Sequence, residues 1–119
     1  MEGVSHTFSK AERLTGKIAL ARLLEDGRWG STAHLKYCWL AGDADVNRLL
    51  VSVPKKLFKR AIKRNLLKRR LRESYRLQKE KLTGRGIDFM ISYNSPEVMD
   101  FSVLFEEVGE ILTKISSKL

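Results

Sequence analysis

Between Pro54 and Gly84 the chain contains no glycine or proline, and KKLFKRAIKRNLLKRRLRESYRLQKEKLT is filled with strong helix formers. A helix from about Lys59 to Lys81 is the reading this stretch allows, and its two faces constrain the rest of the fold. At 100° per residue Leu67, Leu71, Ser74, Tyr75, Gln78 and Leu82 form one apolar stripe, which must pack on a core. Asn65, Lys68, Arg69, Arg72 and Arg76 stack along another side. From Lys55 to Arg85 there are 14 basic residues and two acids, Glu73 and Glu80, so the segment carries +12 while the remainder carries −3 and the whole chain +9.

Like charges three and four residues apart on a helix repel by a few tenths of a kcal/mol per pair, a cost that a solvated face usually reduces with interspersed acids. Here the two acids are expected away from the stripe. Arginine outnumbers lysine on the face, and an asparagine lies within it. Guanidinium offers a planar fork for phosphate, and the amide can donate and accept at a base edge or a 2′-hydroxyl. Nucleic acid is therefore a better reading than a merely solvated helix.

A chain of 119 residues with 43% apolar content makes one domain, 1–119, with a single modest core. The pI near 9.9 points to a polyanionic partner. One cysteine, Cys38, excludes an intramolecular disulfide and fits a reducing compartment. No apolar run approaches the roughly 20 residues of a membrane helix, and MEGVSHTFSK lacks a signal-peptide core, so a cytoplasmic protein is expected.

Taken in order, residues 1–9 read as a flexible arm, and Ser9-Lys10-Ala11-Glu12 as a capping box. Ile18, Leu20, Ala21 and Leu24 suggest a short amphipathic helix, its apolar face mostly core, ending before Gly27. A short strand around Trp29 is possible in the turn region 27–32. Leu35 to Ala41 alternates as a strand, with Leu35, Tyr37, Trp39 and Ala41 on one face and Lys36, Cys38 and Leu40 on the other. Arg48 to Val53 is a second strand, expected to pair with the first as a hairpin across Gly42-Asp43-Ala44-Asp45. Ile87, Phe89, Ile91 and Tyr93 mark a last strand after the break at 83–86. With Asp100 as N-cap, Phe101, Leu104, Phe105, Val108, Ile111, Leu112 and Ile115 make a core helix, leaving Glu106, Glu107 and Glu110 outside. The result is an α+β two-layer sandwich.

Protein-borne chemistry finds little support. His6 and His34 read as isolated surface residues without partners at zinc spacing. Cys38 reads as an inert buried thiol, and Asp43, Asp45, Asp88, Glu73 and Glu80 form no two-metal pattern.

The run KKLFKRAIKRNLLKRRLRESYR resembles the signature of the bacterial ribonuclease P protein subunit, in which a Lys-Lys pair leaves a strand and an Arg-Asn-rich helix follows. Lys55, Lys56, Ala61, Arg64, Asn65, Lys68, Arg69, Arg72 and Glu73 carry the match, and the likeness spans nearly the whole chain, including Phe8 to Leu14. Two departures stand out. The third position of the family's Arg-Asn-Arg triplet is Leu66, whose contact is lost or supplied by a neighbour such as Arg70. The connection into the helix is one residue longer, with Leu57-Phe58 where many members have a glycine.

The resemblance implies the order α-β-β-β-α-β-α, a four-stranded mixed sheet, and a left-handed β-α-β crossover where the general rule would give a right-handed one. It also implies a ribonucleoprotein in which the RNA subunit is the Mg²⁺-dependent ribozyme, this chain holding no metal tightly, that removes the 5′ leader of precursor tRNA. Lys55, Lys56, Arg60, Lys63, Arg64, Asn65, Lys68, Arg69, Arg72 and Arg76 would hold the ribonuclease P RNA, chiefly through phosphates. Phe8, Arg13, Leu20 and Leu24 would line a cleft for the leader of the precursor tRNA. Leu20 and Leu24 stand where relatives place aromatic rings. Tyr37 or Trp39 would complete the cleft if exposed as a stacking platform; the alternative is that both are core. Simple readings also exist for Arg13, a surface charge, and Phe8, a hydrophobic staple. No membrane and no obligate protein partner is implied.

Two other classes fit parts of the sequence. A structural RNA-binding protein accounts for the charge and fold, and only the signature around Arg64-Asn65 argues against it. A basic amphipathic helix on a membrane surface would need exposed apolar residues opposite its basic face, whereas the Leu67 to Leu82 stripe is required for the core.

Overall fold

Strict alternation fixes the central strands, and the computed structural model, which describes residues 8–119, places them at the expected bounds. His6 and most of the arm expected over residues 1–9 lie outside the described residues. The elements are α1 (Lys17–Asp26), β1 (Arg28–Ser31), β2 (Leu35–Ala41), β3 (Arg48–Ser52), α2 (Ala61–Arg76), β4 (Ile87–Tyr93) and α3 (Phe101–Ser117), with 3₁₀ turns at Lys10–Glu12 and Lys79–Lys81. This is the α+β order α-β-β-β-α-β-α with a four-stranded mixed sheet.

The sheet order is β1-β2-β4-β3. β2 is antiparallel to both β1 and β4, while β3 runs parallel to β4. The expected β2–β3 hairpin is therefore not formed. β4 is inserted between the two, and its side chains are buried along most of its length, as a central strand's must be. The strands flanking α2 are parallel neighbours, so β3-α2-β4 is a β-α-β unit.

Register divides the side chains cleanly. Tyr37 faces Ile91 and Trp39 faces Phe89 across β2–β4, and Leu49 and Val51 continue the rows on β3. These residues join Leu67, Leu71 and Tyr75 of α2 and Leu104, Val108, Ile111, Leu112 and Ile115 of α3 in one core. Each fully buried Leu or Ile there contributes about 1.5–3 kcal/mol. On the opposite face Cys38 meets Leu14 and Leu23, with Ala19, Leu40, Leu50 and Met90 around them, so α1 covers only part of that face.

Tertiary contacts move three helical expectations. α2 ends at Arg76, short of Lys81, because Gln78 leaves helical geometry (φ −140°) and is buried, its amide donating to the Phe105 carbonyl of α3. Gly109 accepts this plug: a Cβ there would lie 2.6 Å from Gln78 Oε1. In α1 only Leu23 is buried, while Ile18 is 79% and Leu24 42% exposed, so its apolar face is not mostly core. In α3 Phe101 is exposed, and Glu107, expected outside, is buried. Glu107 lies between Leu104 and Ile111 on the packing stripe and accepts from Thr32 Oγ1, the His34 N–H and, at 2.6 Å, pairs with His34 Nδ1. His34 is thus a half-buried clamp between the β1–β2 turn and α3 rather than an isolated surface residue. Burial alone would raise the Glu107 carboxyl, but the bonds from Thr32 and His34 outweigh it and hold the group below the usual carboxylate value.

Candidate nucleic-acid interface

Pro54 stops β3, and the chain turns through Lys55 and Lys56, both exposed. The Leu57 N–H donates to the Pro54 carbonyl at 3.1 Å, and Phe58 drops into the core edge-on to Tyr93. Phe58 therefore gives the connection into α2 a hydrophobic anchor. α2 then begins with no acid in its first turn.

The outer side of α2 holds two kinds of cation. Arg64 donates to the carbonyls of Phe58 and Lys59 at 2.8 and 2.7 Å and so fastens the connection to the helix. Arg70 donates to the Met99 carbonyl, tying α2 to the start of α3. Arg76 forms a two-pronged pair with Glu73, whose carboxyl is lowered first by the Arg76 bond and also by the charge of Arg69. Glu73 therefore borders the basic stripe rather than lying away from it, which follows from its spacing four residues beyond Arg69. Arg64 and Arg76, expected to be free for a ligand, already have protein partners. Arg70, the expected substitute at the Leu66 position, is likewise engaged.

The second kind is open. Among the described residues no acid forms an ion pair with Arg60, Lys63, Lys68, Arg69 or Arg72. Asn65 is exposed among them. Arg72 is partly desolvated, and burial, with the nearby charge of Arg13, makes its charged form less favourable than usual. The like charge of Arg13 acts on Arg72, and an anion bound there would relieve it.

The N-terminal segment supplies Arg13. It runs beside the outer edge of β3, where the Leu14 N–H donates to the Leu49 carbonyl at 3.0 Å. The Ser9 N–H donates to Glu12 Oε2 at 2.7 Å, as the capping box requires. Phe8 packs edge-on against Tyr75, and the Arg13 guanidinium sits 5.3 Å over the Phe8 ring. Arg13 so occupies the position where a staple would place an apolar partner.

The expected cleft residues separate. Leu20 is half-buried and Leu24 exposed on α1, over the sheet face opposite the main core. Phe8 lies against Tyr75 of α2 instead. Tyr37 and Trp39 are 7% and 9% exposed under α2 and α3, so neither is an exposed stacking platform. The open aromatic of the sheet, among the described residues, is Trp29, 46% exposed on β1 and opposite Cys38. Sequence reasoning passed over it because its strand is short. Its direct signal was a large ring in a polar Arg-Trp-Gly-Ser context.

Three acids of the sheet, turns and N-terminal segment are paired with cations. Arg48 holds Asp88 through two bonds of 2.8 and 2.7 Å, Arg22 pairs with Asp43, and Lys79 with Glu12. Among the described residues no group of three or more His, Cys, Asp or Glu could hold a metal ion. The Cys38 thiol donates to the Leu23 carbonyl, and burial pushes its pKa up. No helix among these residues is long and apolar enough to cross a membrane.

Comparison with known proteins agrees with this geometry. The family model described as Ribonuclease P matches residues 8–116. The ribonuclease P protein component of Desulforapulum autotrophicum is 32% identical over 117 residues, covering 93% of this chain and 94% of that protein. That of Syntrophus aciditrophicus is 30% identical, covering 91% and 90%. Among solved structures, the RNase P protein from Thermotoga maritima superposes with a TM-score of 0.77 at 25% identity, covering 87% of this chain and 97% of that one. The Staphylococcus aureus RNase P protein shares the fold, with a TM-score of 0.74 at 24% identity, covering 90% and 96%.

Proposed function

The chain belongs to the bacterial ribonuclease P protein family and is a component of that endoribonuclease, and from this premise we propose that it binds the catalytic RNA and the 5′ leader of precursor tRNA. The observation that carries the reading is the set of cations without an ion-pair partner among the described residues, Arg60 at the N-cap of α2 and Lys63, Lys68, Arg69 and Arg72 along it, with the charge of Arg13 acting on Arg72. These would neutralise phosphates of the RNA subunit, with Lys55 and Lys56 extending the surface at the helix entrance. Asn65 would add a polar contact to a 2′-hydroxyl or base edge. Arg64 and Arg76 act indirectly, the first by holding the helix entrance and the second by neutralising Glu73 next to the stripe.

Leader removal is hydrolysis of a phosphodiester. In this reading Mg²⁺ would be held by the RNA and would there supply activation of water and stabilisation of the departing oxygen, while among the described residues of this chain no group of three or more His, Cys, Asp or Glu could hold a metal ion. The protein contributes binding and charge: it concentrates substrate, and neutralising phosphates near the junction permits closer approach of the RNA strands. The leader would run as an extended strand past Leu20 and Leu24.

The test is purification of the tagged protein from bacterial cells, followed by incubation of the bound RNA with precursor tRNA. A long co-purifying RNA that releases the 5′ leader is the expected result. RNA that binds tightly but leaves precursor tRNA intact would place the chain with structural RNA-binding proteins.

A further inference from the structure

Face parity in the sheet leaves one row without a helix over it. Register aligns Ser31 with Lys36, Lys36 with Ser92, and Ser92 with Ser52, so one lysine and three hydroxyls cross all four strands on the α1 side. Lys36 and Ser31 are exposed, and Ser92 and Ser52 half-exposed. The adjacent row on the same face is Trp29, Cys38, Met90 and Leu50, in which Cys38 is buried beneath α1 and Trp29 emerges at the β1 edge. Trp29 and Lys36 are diagonal cross-strand neighbours, and Lys36 Nζ sits 4.9 Å from the centre of the Trp29 rings.

The position of the indole is fixed. α1 reaches β1 through Gly27 alone, where a Cβ would lie 2.4 Å from Cys38 Sγ, so helix and strand meet as closely as backbone permits. Trp29 follows two residues later and has little freedom to fold into the core. Cys38 lies opposite it towards α1, but the open surface beside the indole is formed by Gly30, Ser31, Lys36 and Asn94, which is unlike an apolar protein-docking patch. A flat ring with a cation beside it and a polar row behind it suits a group that is aromatic and anionic at once.

We propose that Trp29 is a stacking platform for one unpaired nucleobase of the leader, with Lys36 and the Ser31–Ser52 row receiving the flanking phosphates. The inference rests on the leader-binding reading above and adds a residue to it. Base-paired RNA offers no such face, because its bases are stacked on one another. The strand would cross the sheet from the Lys55–Lys56 end of β3 to β1, which gives the leader a path longer than α1 alone provides. Trp29 also replaces the aromatic contact absent at Leu20 and Leu24.

The experiment uses the reconstituted holoenzyme at one fixed salt, with wild type, Trp29→Ala and Trp29→Phe, and precursor tRNAs bearing a short or a long leader. Trp29→Ala should weaken binding of the long-leader substrate roughly tenfold, the loss of one base–aromatic stack, while the short-leader substrate and assembly with the RNA are unchanged. Trp29→Phe should retain most of the affinity. Quenching of tryptophan fluorescence by a single-stranded leader oligonucleotide should disappear in Trp29→Phe, the remaining Trp39 being buried. Equal affinity of Trp29→Ala and wild type for the long leader, or an equal loss on both substrates, would overturn the proposal while leaving the leader reading intact. A wild-type enzyme indifferent to leader length would overturn that reading and the proposal with it.

Discussion

Replacing Lys63 and Arg69 together with alanine removes two α2 cations that form no ion pair or side-chain hydrogen bond among the described residues, and the consequence can be worked out from counterion release. Each phosphate neutralised contributes about 0.7–0.9 to the slope of log affinity against log salt, so losing two contacts should flatten the slope by roughly 1.4–1.8. Relative to 1 M salt, at which the electrostatic contribution vanishes, affinity near 0.1 M should then fall roughly 25- to 60-fold, and the deficit should shrink as salt rises. The assay is filter binding of ribonuclease P RNA over a salt series. Arg64→Ala is the informative contrast. Its guanidinium is bonded to the Phe58 and Lys59 carbonyls, so its removal should cost about 1 kcal/mol of stability and lower Tm by a few degrees. If the Lys63/Arg69 variant keeps the wild-type slope, the open side of α2 is not where phosphates bind, and the argument from unpaired charge fails.

Other consequences concern the frame that presents this surface. Glu107 is held below its ordinary value of 4.5, so its stabilising contribution is complete above that pH and is lost as pH falls through its lower folded value. Glu107→Gln weakens the charge-assisted bonds to Thr32 and His34, which should cost about 2 kcal/mol at neutral pH, and it should show a weaker further loss on acidification, read by urea unfolding at pH 7 and below pH 4. Leu23→Ala should cost about 2–4 kcal/mol, because Leu23 is the fully buried contact of α1 on the sheet, whereas Ile18→Ser should change stability by less than about 0.5 kcal/mol; thermal unfolding of the two variants measures the contrast. Cys38 should resist a thiol reagent in the native protein and react at once in denaturant, since its thiol is buried and bonded to the Leu23 carbonyl.

What the sequence disclosed, and what it hid, follows from how local each determinant is. β2 and β4 were legible at their ends because alternation is a property of the strand itself, and the basic face of α2 because charge is counted directly. The partner of β3 was not, since LLVS reads the same beside β2 or β4. What decides is the need of β4, buried along most of its length, for a neighbour at each edge. The end of α2 depended on Gln78 finding a carbonyl of α3, a contact distant in sequence. Glu107 carried a signal that was readable, its place three residues after Leu104 and four before Ile111, but acids are usually taken as outward-facing. Among site residues, exposure of Arg60, Lys63, Asn65 and Arg69 followed from helical spacing. The engagement of Arg64 with the two preceding carbonyls and the exchange of Tyr37 and Trp39 for Trp29 as the exposed ring required the folded sheet.

The central claim is that this chain assists a catalytic RNA in removing the leader, and reconstitution tests it most directly. The protein is added to a bacterial ribonuclease P RNA at Mg²⁺ too low for the RNA alone, and cleavage of a precursor tRNA is followed. Cleavage that rises with added protein to a one-to-one ratio, and rises more for a substrate with a leader long enough to reach β1, is the predicted result. Saturable binding of the RNA with no gain in cleavage at any Mg²⁺ concentration would contradict the account.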